Sequence, residues 1–118
     1  LRDELKLRPE LAKVVRNERY WKGAMVYDGW KLWSSVRCPL LFVTGGLDAQ
    51  VPPDHARYAA KAARLGGNHD VEVVILADLD HIFRRSYFGF MGEYANRFRP
   101  LDRRVIETVA HYLTSHAK

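Results

Sequence analysis

The feature that most constrains the fold is a pair of short apolar runs separated by an alanine-rich segment. The first run, Pro39–Thr44, ends at two glycines, and the second run is Val71–Leu76. A continuous apolar run of this length, ended by glycine, is typical of a strand buried on both faces of a sheet. Between them, Ala56–Leu65 predicts a helix, with prolines before it and glycines after it.

A last helix completes the pattern. Residues 102–116 carry apolar side chains at helical spacing. The order strand, helix, strand, helix indicates a parallel βαβα unit, so the predicted class is α/β. Two strands make a poor sheet alone, and a parallel sheet needs cover on both faces. We therefore expect further strands upstream, with residues 37–118 as the C-terminal βαβα part of a larger domain. The apolar residues of the last helix are Val105, Ile106, Val109, Tyr112 and Leu113.

Residues 1–36 form a helical, aromatic-rich segment ahead of the first strand. Residues 1–17 predict helix with an interruption at Pro9, and residues 18–36 crowd several aromatic side chains around two glycines. We favour packing of these rings onto the body of the protein, and the alternative is a lid over a binding cleft. The aromatic residues are Tyr20, Trp21, Tyr27, Trp30 and Trp33.

Composition and charge narrow the class of protein. The chain is 47% hydrophobic and 28% charged, and none of its apolar runs approaches the ~20 residues that cross a bilayer. Its net charge of +5 is spread along the chain between acids, so we favour a solvated surface over a nucleic-acid interface. The only cysteine, Cys38, excludes an internal disulfide, and its place before an apolar strand predicts burial. No histidine and carboxylate cluster has metal-ligand spacing, so neither a metal nor a cofactor is expected.

Two side chains with catalytic potential follow the predicted strands. Asp48 lies four residues beyond the first run, and His81 lies five residues beyond the second. Because neighbouring parallel strands end at one edge of the sheet, an aspartate there can accept a hydrogen bond from the imidazole Nδ1 and fix its tautomer. Asp78 and Asp80 are closer in sequence but share the loop of His81, so Asp48 is the preferred partner. The other histidines are interpreted as surface residues without partners: His55, His69, His111 and His116.

The same segments resemble serine α/β-hydrolases, mostly over residues 20–115. Val36–Pro52, with its Pro-apolar run, Gly-x-x-Asp turn and Val-Pro, is similar to the strand-turn-acid segment of bacterial carboxylesterases and of prolyl-oligopeptidase-like and serine-aminopeptidase-like peptidases. Gly67–Leu76 followed by Leu79–Phe83 resembles their last strand and histidine loop, and residues 100–113 resemble their final helix. Tyr27-Asp28 is similar to a pair that often precedes the acid strand in this group.

The resemblance implies an α/β-hydrolase fold and a Ser-His-Asp mechanism, with Asp48 as the acid and His81 as the general base. The chain departs from the family because it has no Gly-x-Ser-x-Gly elbow and no oxyanion-hole segment. We therefore expect a C-terminal fragment of a serine hydrolase, inactive alone, whose missing N-terminal half supplies the serine. Its substrate would be a small-molecule ester or a peptide.

The alternative is a non-catalytic binding module that keeps the α/β shape. A basic interaction domain for nucleic acid ranks third, and no membrane partner is expected. The opening residues lack the apolar core of a signal peptide, so the location stays open, with the cytoplasm slightly favoured.

Overall fold

The computed structural model describes residues 28–95 and 99–117, which form a small α/β unit. The predicted N-terminal helix and the aromatic residues Tyr20, Trp21 and Tyr27 lie outside these ranges. The α/β class predicted from the sequence is confirmed, because the described helices accompany a parallel pair of strands. In chain order, the elements are α1 (Gly29–Ser35), β1 (Leu40–Gly45), α2 (Asp54–Leu65), β2 (Val71–Leu76), a short 3-10 helix (Met91–Ala95) and α3 (Arg103–His116).

The parallel pairing of β1 and β2 decides where the candidate site lies. Leu40 is opposite Val71 at one end, and Gly45 is opposite Leu76 at the other. Both strands therefore finish at the same edge, and the loops that follow them meet there. The crossover helix α2 packs on both strands through small buried side chains, which let the helix approach closely. These are Ala59, Ala60, Ala62 and Ala63.

The first helix packs against this crossover helix and the sheet. Trp30 meets Tyr58 of α2 edge to face at 4.9 Å, and Trp33 meets Phe42 of β1 at 5.0 Å. Such aromatic pairs add about 0.5–1.5 kcal/mol beyond the area they bury. The side chain of Asp28 caps the first turn of α1. The C-terminal part of the aromatic segment therefore packs on the α/β unit.

The strands and the last helix are less buried than their sequences predict. The apolar side chains of β1 and β2 are mostly half-buried, and α3 has no buried residue. The reason is that the described sheet has only two strands, so both of its edges are open. Cys38 is exposed, contrary to the prediction, because it lies before β1 rather than within it. The exposed part of the α3 stripe is Ile106, Val109 and Leu113.

No helix within residues 28–95 and 99–117 combines the length and the apolar character needed to cross a bilayer.

Candidate active site

The Asp48 carboxylate and the His81 imidazole meet beyond the ends of the two strands. Nδ1 of His81 lies 3.0 Å from Oδ2 and 3.2 Å from Oδ1 of Asp48. The Asp48 side chain is 7% exposed and the imidazole is 37% exposed. An ionised carboxylate can only accept, so Nδ1 carries the hydrogen and the neutral ring presents an unprotonated Nε2. That nitrogen makes no hydrogen bond to any residue of the described ranges.

The same carboxylate also organises its own turn. Oδ1 of Asp48 accepts hydrogen bonds from the backbone N–H of Gln50 at 2.9 Å and of Val51 at 2.8 Å. Burial by itself would raise the pKa of Asp48, but the N–H of Val51, the His81 imidazole and the N–H of Gln50 together lower that pKa below its ordinary value. Asp48 is therefore ionised at neutral pH, and a single anion holds both the turn and the histidine.

A second aspartate shapes the turn that carries His81. Asp80 is 1% exposed, and its Oδ1 accepts the backbone N–H groups of Ile82 and Arg84, both at 3.0 Å. Within this turn Phe83 has a φ of 56°, in the left-handed region that non-glycine residues seldom adopt. The hydrogen bonds to Asp80 offset this strain, so His81 is held in a defined place. The sequence suggested Asp80 only as an alternative acid for the histidine.

The remaining nearby acid, Asp78, is paired with arginine side chains rather than with the histidine. It forms a bidentate pair with Arg104 at 2.8 and 2.9 Å, and this hydrogen bond lowers the pKa of Asp78. Arg104 also binds Asp102, the N-cap of α3, whose backbone N–H donates to the carbonyl of Phe83 at 2.9 Å. This cluster fastens the His81 turn to the start of α3. Asp48 is thus the acid that the structure brings to His81.

Two glycines allow the His81 turn to lie against the end of β1. A Cβ on Gly45 would overlap the carbonyl of Leu79 and lie 2.6 Å from that of Asp80, and one on Gly46 would lie 2.6 Å from the Ala77 carbonyl. Because of this close backbone approach, a larger residue at either position would require the backbone to shift. The sequence indicated these glycines only as a strand ending, and their contact with the histidine loop is a tertiary effect.

Further along, Glu93 orders the loop that follows the histidine turn. Its carboxylate accepts backbone N–H groups from Tyr87 at 3.0 Å, Phe88 at 2.9 Å and Gly89 at 3.0 Å, and pairs with Arg99 at 3.0 Å. The hydrogen bond from Tyr87 foremost, and those from Ser86, Phe88 and Arg99, lower the pKa of Glu93 to about 2. No local pattern in the sequence signals this role, since the groups lie four to six residues before the glutamate.

That ordered loop contacts the turn of Asp48. Gly89 has a φ of 75°, and a Cβ on it would overlap the carbonyl of Leu47. The amide of Gln50 donates to the hydroxyl of Tyr94 at 3.1 Å. The loop ordered by Glu93 and the turn of Asp48 are therefore in contact. Apolar side chains project from the loop ordered by Glu93. Those exposed side chains are Tyr87, Phe88, Phe90 and Met91.

An open depression of about 460 Å³ adjoins the acid–histidine pair. Asp48 and His81 lie in its wall, and most of the remaining wall is apolar. It is bordered by four consecutive residues of β1, by the start of α2 and by Trp33 and Phe83. A ligand or a segment of polypeptide seated there would therefore lie next to the imidazole.

The other histidines differ in their surroundings. His116 was expected to lack a partner, but its Nε2 lies 3.1 Å from Oδ1 of Asp70, and its ring stacks on Tyr112. His55 borders the depression without contacting Asp48 or His81 through a hydrogen bond. Within the described ranges, no three histidine, cysteine or acidic side chains are arranged to hold a metal ion.

None of the chain's four serines takes the place of a nucleophile. The hydroxyls of Ser34, Ser35 and Ser115 donate to backbone carbonyls of their own helices, and that of Ser86 accepts from Gly89. None is hydrogen-bonded to His81 in the described structure.

In comparisons with protein-family models, curated proteins and solved structures, nothing matches this chain.

Proposed function

We propose that this chain supplies the acid and the base of a serine hydrolase of the α/β-hydrolase superfamily. The observation that carries the proposal is the buried, ionised Asp48, which binds Nδ1 of His81, while Nε2 has no hydrogen-bond partner among the described residues. The position of the pair beyond parallel strands, and the order of acid before histidine, also support the proposal. The structure establishes the α/β class, and the assignment to the hydrolase fold belongs to the proposal.

In this mechanism Nε2 of His81 takes the proton of a serine hydroxyl while that oxygen attacks the acyl carbonyl of the substrate. The resulting imidazolium is stabilised by Asp48, which stays ionised throughout. The same Nε2 then gives the proton to the leaving alcohol or amine, and the cycle repeats with water as the nucleophile. The reaction thus needs His81 both as base and as acid.

The nucleophile and the oxyanion hole come from another polypeptide segment. Two observations support this: none of the four serines of the chain is hydrogen-bonded to His81, and the described sheet has open edges where further strands can add. The reaction class is hydrolysis of an ester or a peptide bond. The apolar depression beside His81 favours a substrate with an apolar group.

Fluorophosphonate labelling of the protein from its native source tests the proposal, since these probes react only with activated serines. An antibody against α3 would isolate the protein, and intact mass would identify the labelled polypeptide. We expect a label on a polypeptide that contains this sequence or is bound to it. His81→Gln, introduced in the native gene, should lower the labelling rate at least about 1,000-fold.

His69→Gln is the matched control, because His69 is exposed and lies before the start of β2, at the end of the sheet opposite to His81. It should label at nearly the native rate. Equal labelling of the two variants would refute the role of His81. A folded native protein that takes no label would instead support the alternative, a non-catalytic binding module.

A further inference from the structure

Polar contacts at its two ends attach the last helix to the rest of the described unit. No residue of α3 is buried, so burial along the helix fixes it only weakly. At its start, Arg104 joins the N-cap Asp102 to Asp78. At its other end the last helical residue, His116, reaches the turn that precedes β2. A change that breaks the contact of His116 would therefore free the C-terminal turn of α3.

Both ring nitrogens of His116 face an acceptor. Nδ1 lies 2.8 Å from the backbone carbonyl oxygen of Tyr112, one turn earlier in α3, and Nε2 lies 3.1 Å from Oδ1 of Asp70. A carbonyl oxygen and a carboxylate oxygen accept hydrogen bonds and have none to donate. A neutral imidazole has a single N–H group, so one of its nitrogens would face the lone pairs of an oxygen. Only the protonated ring donates to both acceptors.

The surroundings of His116 also favour the charged ring. The hydrogen bond to the carbonyl of Tyr112 raises the pKa of His116 most, and burial opposes this effect. The nearby carboxylates of Asp70 and Glu72 add to the increase. The C-terminal end of a helix favours a cation as well. The imidazole stacks on the ring of Tyr112 at 4.1 Å. Burial raises the pKa of that phenol, with contributions from the same carboxylates and from Cys38, so the phenol is uncharged at neutral pH.

We infer that His116 is a pH-dependent clamp, which fixes the end of α3 to the start of β2 when its imidazole is protonated and releases it when the ring is neutral. The clamp binds the side chain of Asp70, whose backbone carbonyl accepts the N–H of Leu40, the first residue of β1. It therefore lies at the end of the sheet opposite to Asp48 and His81. The inference does not depend on the proposed function.

The direction of the pH effect follows from the raised pKa of His116. A histidine whose pKa is higher in the folded protein stabilises the fold fully below its ordinary pKa of 6.5. This contribution is lost as the pH rises through the pKa of the folded protein. The contact between His116 and Asp70 should therefore be complete at about pH 5.5 and absent at about pH 8.5, and the C-terminal turn of α3 should then be free.

NMR of the histidine rings, in the protein produced from its native gene, tests the inference because it reports both the charge of His116 and its contact. We expect nuclear Overhauser effects between the ring of His116 and the β-hydrogens of Asp70 at about pH 5.5. They should disappear at higher pH with the same midpoint as the titration of the ring. A contact that persists while the ring is neutral, or that is missing while the ring is charged, would overturn the inference.

Asp70→Asn tests the partner of the clamp, because the amide keeps the shape of the side chain and removes its charge. It should lower the midpoint of the His116 titration by about 0.5–1 pH unit. The control is Asp54→Asn, which removes an exposed carboxylate on α2 and should leave that midpoint within about 0.1 unit. Equal midpoints in the two variants would also overturn the inference. If Asp70→Asn does not fold, the titration of the unaltered protein decides alone.

Discussion

Replacing Asp48 with asparagine tests the site most sharply, because the amide keeps the shape and changes only the hydrogens. In the native protein one carboxylate oxygen accepts two backbone N–H groups, at 2.9 and 2.8 Å. The other oxygen lies 3.0 Å from Nδ1 of His81. The asparagine has one oxygen and one NH₂ group to place at these two positions.

The preferred orientation of the amide follows from the donors around it. If the NH₂ group faced the turn, it would meet the N–H groups of Gln50 and Val51, and each unsatisfied donor costs about 1–3 kcal/mol. The oxygen therefore stays on the turn, and the NH₂ group faces His81. It can only donate, so Nδ1 becomes an acceptor and the ring hydrogen moves to Nε2. Nε2, the atom that should accept the serine proton, then carries a hydrogen and cannot act as the base.

We expect Asp48→Asn to lower the rate strongly while changing the structure little. In serine hydrolases the wrong histidine tautomer lowers the turnover by about 10⁴-fold, which is about 5 kcal/mol of activation free energy. The rate of fluorophosphonate labelling of the native protein measures this loss. The ¹⁵N chemical shifts of His81 report the tautomer directly, and we expect the hydrogen on Nδ1 in the native protein and on Nε2 in Asp48→Asn.

Asp54→Asn is the control, since Asp54 lies at the start of α2 with its side chain 82% exposed. It should leave the rate and the tautomer unchanged. A loss of less than about tenfold in Asp48→Asn, or a ring hydrogen that stays on Nδ1, would refute the role assigned to Asp48.

Three further changes test the support of the site. Gly45→Ala places a Cβ against the carbonyls of Leu79 and Asp80. We expect it to lower the free energy of unfolding by about 1–3 kcal/mol in urea titrations. The control is Gly29→Ala, which adds a Cβ in open space and should be neutral or slightly stabilising. Asp80→Ala leaves two N–H groups without their acceptor, so it should cost about 1–3 kcal/mol for each group by the same measurement, and an unchanged urea midpoint would contradict the role of Asp80. The pKa of Glu93 is lowered from 4.5 to about 2, so its stabilisation is complete above pH 4.5 and is lost as the pH falls toward 2. Glu93→Gln should therefore reduce the stability near neutral pH, and the stability of the variant should fall less steeply as the pH is lowered. Unfolding followed by circular dichroism at a series of pH values measures both effects.

Local sequence patterns predicted the regular elements well. The apolar run Val71–Leu76 is β2 with the same ends, and the last helix begins at Arg103 with Asp102 as its cap. These elements follow from short-range rules of periodicity and capping. The contact between Asp48 and His81 was also expected, because parallel strands bring their ends together. Its catalytic role stays a prediction.

What the sequence could not indicate are the contacts that join distant segments. The burial of both strands was overestimated, because an apolar run reports the environment of a complete sheet and the described sheet has two strands. The role of Glu93 depends on how the loop folds back on it, and no periodicity encodes that path. Likewise Asp80 looked like an alternative acid, whereas its burial and its two backbone partners make it the organiser of the turn.

Asp48 binds both the backbone of its own turn and the imidazole of His81, so thermal opening of that turn also affects the tautomer of the histidine. When the turn at Gln50 and Val51 opens, the carboxylate loses its place, and the imidazole loses its tautomer at the same moment. If the two events share one equilibrium, the population in which Asp48 holds the Nδ1–H tautomer of His81 equals the population with a closed turn. An opening free energy of about 2 kcal/mol would then leave about 3% of molecules with the turn open at any instant, and warming would raise that share well before the whole unit unfolds.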